Sequence, residues 1–298
     1  MTDTSAGSGP TETILDPGRR VHLGIWRDEA LEPYARHFTW TVPELTDAQR
    51  RAIAVGEVPA GPGATFLRVA DLIEPGYLPV ETGLSRGGDG ALCVAVWTPF
   101  PGATPAMLDW WMGWHIARTD RYKLWHPQAH AFAQPRFDFS AVSDASDRER
   151  YVGNTSWVDE YIGPILVQLA ITFLEPAAVG LGSEGRIGDV ATDSTTVVGE
   201  VRDSNSGTVL SHLVHHVRST VYGCEMRSRF YFPPGVPGAI GCAMLDHCAT
   251  EMANLAGFLP QLFASVVGSG PLGPLSQTGS LGQRGSLGQT GSIGSSGA

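Results

Sequence analysis

Residues 194–232, "STTVVGEVRDSNSGTVLSHLVHHVRSTVYGCEMRSRFYF", contain three β-rich runs parted by "DSNSG" and "STVYG". Branched and aromatic side chains suit a pleated, half-buried surface, and the Asp, Ser and Gly clusters between them carry turn chemistry. Past "PPGVPG" the texture changes to that of a helix over 239–258, "AIGCAMLDHCATEMANLAGF", with Pro260 placed to kink or end it. Successive antiparallel strands followed by one long helix restrict the chain to a layered α+β fold. The expectation is a curved antiparallel sheet around a long C-terminal helix, with a ligand cavity between helix and concave face.

Upstream, Thr46 followed by "DAQRRAIAV" reads as a capped short helix, and "GALCVAVWTPF" (90–100) as a strand. Thr104 and Pro105 open a helix over 104–117, since Pro at the first helical position loses no hydrogen bond. "NTSWVDEYIGPILVQLAITFLEP" reads as further strand. Residues 1–16 are expected to be disordered, as is the Gly/Ser-rich repeat of 269–298, because neither carries enough apolar surface to offset ordering entropy. No linker interrupts 17–268, which is therefore read as one catalytic domain, with the tail playing no part in catalysis.

A formal charge of −10 with scattered Lys and Arg argues against nucleic acid or an anionic membrane as partner. The four cysteines form no CxxC pair, as expected of buried thiols in a reducing compartment. The N-terminus lacks the blocks of a signal peptide, and the most apolar stretch (162–174) is too short to span a bilayer. A cytoplasmic protein is expected.

On the predicted C-terminal helix, an advance of 100° per residue gathers Met244, Cys248, Met252, Leu255 and Leu259 into an apolar stripe. His247 and Glu251 fall at its edge and, four apart, meet on one face. Alone, such a pair is most simply a hydrogen-bonded core margin. "DRYKLWHPQAHAF" (120–132) changes its weight, because a His and a carboxylate on one helix make half of a tetrahedral zinc site and His130 can add a third ligand. His126 competes, but it precedes Pro127 and is disposed to extended backbone at a turn. Glu160, in "SWVDEYIG" at the start of an apolar run, is a candidate fourth ligand, since a buried carboxylate needs a partner. An alternative set is His126, His130 and His247, with Glu251 as base.

The order and spacing of "WWMGWH…RYKLWHPQAH", "SWVDE", "HHVRSTVYGCEMRSRF" and "HCATE" resemble the 2,4-diacetylphloroglucinol hydrolase family, to which phloretin hydrolase is related. The resemblance spans about 20 to 268. It implies a START-like helix-grip fold and one zinc ion per chain. It also implies hydrolysis of the carbon–carbon bond between an acyl group and a polyhydroxylated ring. Carried over, the metal ligands would be His130, Glu160, His247 and Glu251. Tyr122 and His215 would be catalytic, with His216 leaving a one-residue ambiguity on that strand. Substrate contacts would come from Tyr122, His126, Ala133, His215 and Phe230. Ala133 and Phe230 depart from the family, which has Asn and Tyr there; the loss of two polar contacts implies a different substrate rather than a different reaction. A homodimer is a further expectation from the family.

This set suits the reaction. A metal ion polarises a carbonyl and activates water. A polyhydroxylated ring, protonated at the acyl-bearing carbon, leaves as a delocalised enolate that a Tyr or His can stabilise. Competing expectations are a helix-grip carrier of aromatic ligands, which has no need of the His/Glu quartet, and a zinc hydrolase of other carbonyl substrates. Trp110, Trp111, Trp114 and Trp125 are assigned to the core, with one or two of them lining the pocket of a flat phenolic substrate, and His115 and His212 to structural or exposed positions. Glu225, Arg227 and Arg229 share a strand face, read as structural.

Overall fold

In the computed structural model the described residues are 9–181, 186–187, 190–191 and 193–268. The first half of the chain provides β1 (Thr11–Glu12), α1 (Asp47–Val55), β2 (Glu57–Pro59), β3 (Gly83–Arg86), β4 (Leu92–Pro101), α2 (Pro105–His115), α3 (Thr119–Trp125), β5 (His130–Pro135) and β6 (Phe137–Asp138). The second provides α4 (Asp147–Tyr151), β7 (Thr155–Ile162), β8 (Ile165–Leu174), β9 (Arg186–Ile187), β10 (Val190–Ala191), β11 (Ser194–Asp203), β12 (Val209–Thr220), β13 (Gly223–Phe232) and α5 (Gly238–Val267).

Nine strands form one sheet in the order β2-β3-β4-β13-β12-β11-β8-β7-β5. Every pairing is antiparallel except β2 with β3. The turns read at "DSNSG" and "STVYG" connect β11 to β12 and β12 to β13, which are neighbours in the sheet. Helix α5 approaches β3 and β4 on one side and β7 on the other. Between those lines of contact lie two cavities walled by the middle strands and α5. The architecture bears out an α+β fold with a large antiparallel sheet and a C-terminal helix.

Several local expectations hold. Thr46 accepts from the Gln49 backbone and Gln49 reaches back, a reciprocal cap on α1. Thr104 caps α2 by accepting from Met107, with Pro105 in the first turn. One boundary differs: α5 does not end near Pro260 but runs to Val267. Leu259 and Leu262, on either side of the proline, are completely buried, and this packing outweighs the one helical hydrogen bond that proline removes.

The N-terminal boundary also differs. Residues 1–8 and 269–298, where disorder is expected, lie outside the described residues. Residues 9–16 belong to a strap over the outside of the sheet, with Thr11 and Glu12 paired to Asp138 and Phe137. The strap is pinned further along its length. Arg19 grips Asp159 on β7 with two hydrogen bonds of 2.7 and 3.0 Å. The buried Lys123 of α3 meets Glu29 at 3.2 Å, and Tyr34 donates to Asp120 at 2.8 Å. These elements are the ones that carry the candidate site.

The face of β13 bearing Glu225, Arg227 and Arg229 is a buried ion-pair network. Glu81 holds both Arg227 (2.6 Å) and Arg229 (2.8 Å), and Glu225 accepts from Arg218 (2.6 Å) and the Trp97 indole (2.8 Å). All four cysteines are free thiols, and no helix among the described residues is long and apolar enough to cross a membrane.

Candidate metal centre and its chambers

Three elements bring four side chains together. His130 opens β5 and lies opposite Glu160 of β7 in the antiparallel register. The register shifts between His130 and Phe132, so Ala131 is an extra, bulged residue. Ala133 consequently pairs with Val158, on the same face as His130 although three residues away. His247 and Glu251 approach from α5, one turn apart and both buried.

The backbone sets the tautomers. His130 Nδ1 lies 2.9 Å from the Tyr122 carbonyl, and His247 Nδ1 lies 3.1 Å from the Tyr161 carbonyl. A carbonyl can only accept, so each Nδ1 carries the proton and each Nε2 presents a lone pair. Those two Nε2 atoms face each other at 3.4 Å. Glu251 Oε2 lies 3.5 Å from His130 Nε2 and 3.8 Å from His247 Nε2. Glu160 Oε2 lies 3.5 and 3.9 Å from the same two atoms. Tetrahedral zinc with bonds of about 2.0–2.1 Å puts its ligands roughly 3.3–3.4 Å apart. Spacing and donor types both fit that ion. The donor atoms of His130, His247 and Glu251 all lie within 4.8 Å of one another, and Glu160 stands outside that group.

Electrostatics give the same answer. Burial raises the Glu160 carboxyl to about 7, and burial with the neighbouring Glu160 pushes Glu251 well above the usual carboxylate range. Burial lowers His247 to about 4 and His130 well below the usual imidazole value. Left to itself, the pocket resists every charge. A divalent cation supplies what two carboxylates and two lone pairs lack.

Tyr122 belongs to the same cluster. Its hydroxyl donates to Glu160 Oε2, and its ring stacks on His130 with centroids 3.7 Å apart and planes within 3°. His215 faces inward and pairs its Nδ1 with Ser228 Oγ at 2.8 Å. His216 points to the other side of the sheet, toward Thr196 Oγ at 2.9 Å, so it is His215 that shares the inner space. Phe230 lies beside His215, ring centroids 5.8 Å apart.

His126 departs from its expected place among the substrate contacts. It lines a separate outer groove of about 520 Å³ on the far side of His247, not the chamber that holds Tyr122 and His215. Pro127 keeps it extended (φ −138°, ψ 82°), and its carbonyl accepts from the Ala129 and His130 amides at 3.0 and 2.8 Å. His126 thus builds the turn that presents His130, and the three-imidazole alternative is not the group that converges. His115 is buried and hydrogen-bonded to the Trp111 carbonyl at 2.7 Å, as a structural residue would be.

An inner chamber of about 60 Å³ is lined by Tyr122, Glu160, His215, His247 and Glu251. It adjoins a chamber of about 300 Å³ whose wall is almost wholly aliphatic and aromatic. Glu160, Ile171, Leu213, Phe230 and Met244 line both and form the neck. Ser156, a polar residue of the inner chamber's wall, escaped the sequence reading, and His115, read as structural or exposed, lines that chamber as well; Trp125 is the one of the four tryptophans that reaches it. Alternation along β7 puts Ser156 on the face of Val158 and Glu160, a signal available from "SWVDE" once Glu160 is placed inside.

A fold of this class with a buried His/His/Glu group is consistent with a hydrolase family. Residues 64–238, more than half of the chain, match the family described as DAPG hydrolase PhiG domain, and the chain belongs to that family. It is accordingly a hydrolase. Among its curated relatives, the phloretin hydrolase of Eubacterium ramulus is 30% identical over 270 residues, covering 82% of this chain and 94% of the relative. The 2,4-diacetylphloroglucinol hydrolase of a Pseudomonas sp is 29% identical over 265 residues, covering 78% and 87% respectively. The crystal structure of Ara h 8.0201 aligns over 58% of this chain and 99% of its own at 9% identity and a TM-score of 0.36, too weak a likeness to bear on the fold.

Proposed function

We propose that this protein is a zinc-dependent hydrolase of acylphloroglucinol-type ketones, converting Ar–CO–R and water to Ar–H and a carboxylic acid within one helix-grip domain. The observation that carries the proposal is the convergence of His130 Nε2, His247 Nε2, Glu160 and Glu251 at 3.4–3.9 Å with both imidazole lone pairs exposed to one point. These four residues would hold the ion, which when bound supplies Lewis acidity toward the carbonyl and an activated water.

The remaining steps belong to the chain's own groups. Water adds to the carbonyl carbon, the bond from that carbon to the ring breaks, and its electron pair passes into the ring as an enolate. For this the ring carbon must accept a proton first. Burial raises the Tyr122 hydroxyl well above its ordinary pKa, so it remains a proton donor at neutral pH, held on Glu160. Burial lowers His215 to about 4, so it meets the substrate as a neutral imidazole able to take up or pass on a ring-hydroxyl proton. Tyr122 and His215 are therefore assigned to proton movement at the ring, with Phe230 as an apolar wall; Ala133, expected as a substrate contact, is a buried core residue that lines neither chamber. The names of the relatives, which act on a diacetylphloroglucinol and on phloretin, support the substrate class.

The test is metal analysis of wild type beside His130→Ala and His247→Ala, followed by acid release from acylphloroglucinols. About one zinc per chain, lost in both variants, with acid release dependent on it, is the expected result. Turnover of activated aryl esters alone would replace this reading with a zinc hydrolase of other carbonyl compounds.

A further inference from the structure

The two chambers differ in chemistry in a way that orients a ligand. Two residues of the inner chamber's wall, Ser156 and Trp125, each carry a buried polar atom without a hydrogen-bond partner, Oγ and Nε1 respectively. Ser156 is 2% exposed and Trp125 6%. A buried hydroxyl or indole N–H left unpaired costs about 1–3 kcal/mol, so atoms of this kind in a chamber wall await a partner from the chamber. Across the neck, the larger chamber offers almost none. Ile165, Val167, Val201, Leu210, Phe232 and Ile240 dominate it, and Ser211 is its one polar side chain besides Glu160 at the neck. At roughly 30 Å³ per water-sized group, the larger chamber's 300 Å³ accommodates about ten such groups and the inner chamber's 60 Å³ about two, so the inner one takes the hydroxyl-bearing edge of a ring and the neck its body.

An aryl ketone has its carbonyl between two halves, and the neck carries Glu160 between two chambers. Ring hydroxyls need polar partners, which are concentrated on the inner side, Ser211 being the one polar side chain beyond the neck; an apolar acyl chain loses little on the outer side. We propose, resting on the hydrolase reading above, that the larger chamber is an acyl-chain subsite and that Ser156 and Trp125 contact the ring hydroxyls. The preferred substrate is then an acylated polyphenol whose acyl chain is apolar and longer than acetyl, with no polar group at its far end.

The experiment has a binding arm and a turnover arm, both on the full chain. Resorcinols bearing ethyl, butyl or hexyl chains lack the carbonyl and cannot be hydrolysed, so calorimetric Kd values test the chamber by itself. Each methylene buried should tighten binding about three- to fourfold, and Leu210→Trp should flatten the series. In turnover, 2,4,6-trihydroxyphenyl ketones should show kcat/KM rising from acetyl to hexanoyl. Ser156→Ala should lower kcat/KM about tenfold for the trihydroxy ketone, yet cost little more on at least one analogue lacking a ring hydroxyl. Trp125→Phe is the companion variant, with circular dichroism and zinc content as folding controls. Chain-length tightening without any acid release would keep the acyl subsite and overturn the hydrolase reading. Hydrolysis with equal or better use of the acetyl ketone, and flat resorcinol binding, would overturn this inference alone. A Ser156→Ala loss of the same size on every analogue would remove Ser156 from the ring contacts.

Discussion

Replacing Arg19 by Ala tests whether the N-terminal strap is part of the machinery that holds the metal centre. Arg19 and Asp159 form a two-pronged pair in which the side chains are 12% and 2% exposed. Asp159 is the strand neighbour of Glu160 and points to the opposite face of β7, so the pair fixes the strand from behind. Removing one partner of a buried ion pair leaves the other charge uncompensated, at a cost of about 3–5 kcal/mol. Some solvent reaches Arg19, which places this case near the lower figure, about 3 kcal/mol. For a domain of this size each kcal/mol lowers Tm by about 2–4 °C, so the expected fall is about 6–12 °C. The double variant Arg19→Met with Asp159→Asn leaves no stranded charge and should recover most of that loss. Scanning calorimetry on zinc-loaded protein measures both, and zinc retention in dilute chelator reports whether Glu160 has shifted. An Arg19→Ala midpoint within about 2 °C of wild type, with zinc retention unchanged, would refute the clamp and make the strap a passive covering.

Removing the metal should destabilise the fold. Zinc held at about a thousand times its Kd contributes about 4 kcal/mol, so chelation should lower Tm by about 8–16 °C; zinc should restore it in wild type but not in His130→Ala. His215 carries a pH signature. Its folded value of about 4 lies below the ordinary 6.5, so the associated stability is complete above about pH 6.5 and lost as pH falls toward 4. Urea denaturation should therefore show wild type losing about 2–3 kcal/mol more than His215→Asn between pH 7 and pH 4.5; parallel profiles would show that His215 is not held neutral by burial. Gly113→Ala would set a Cβ 2.6 Å from the Asp147 carbonyl oxygen where α2 crosses α4, costing about 1–3 kcal/mol in chemical denaturation. Deletion after residue 268 should leave kcat/KM unchanged, and a large loss would assign the tail a role in catalysis.

Some of this protein was open to reading one residue type and one spacing at a time. The His247–Glu251 pair follows from helical periodicity, and the turn that presents His130 follows from the restriction Pro127 places on His126. The three strands ahead of α5 follow from alternation and turn chemistry. These are local rules, acting over a few residues. What they could not reach depends on contacts between distant segments. Alternation requires His215 and His216 to point opposite ways, but only the placement of α2 and α5 over one side of the sheet makes the face of His215 the inner one. The bulge at Ala131, which turns His130 and Ala133 to the same side, is a matter of register between β5 and β7. Ser156 reads as strand until a chamber is seen beside it, and packing alone selects Trp125 from the four tryptophans to line that chamber. The strap that closes over α3 and β7 is held by ion pairs whose partners lie about a hundred residues away in sequence or more. Residue type and local spacing are enough to name the side chains able to bind a metal; which of them meet is a property of strand register and helix packing that no short window of residues contains.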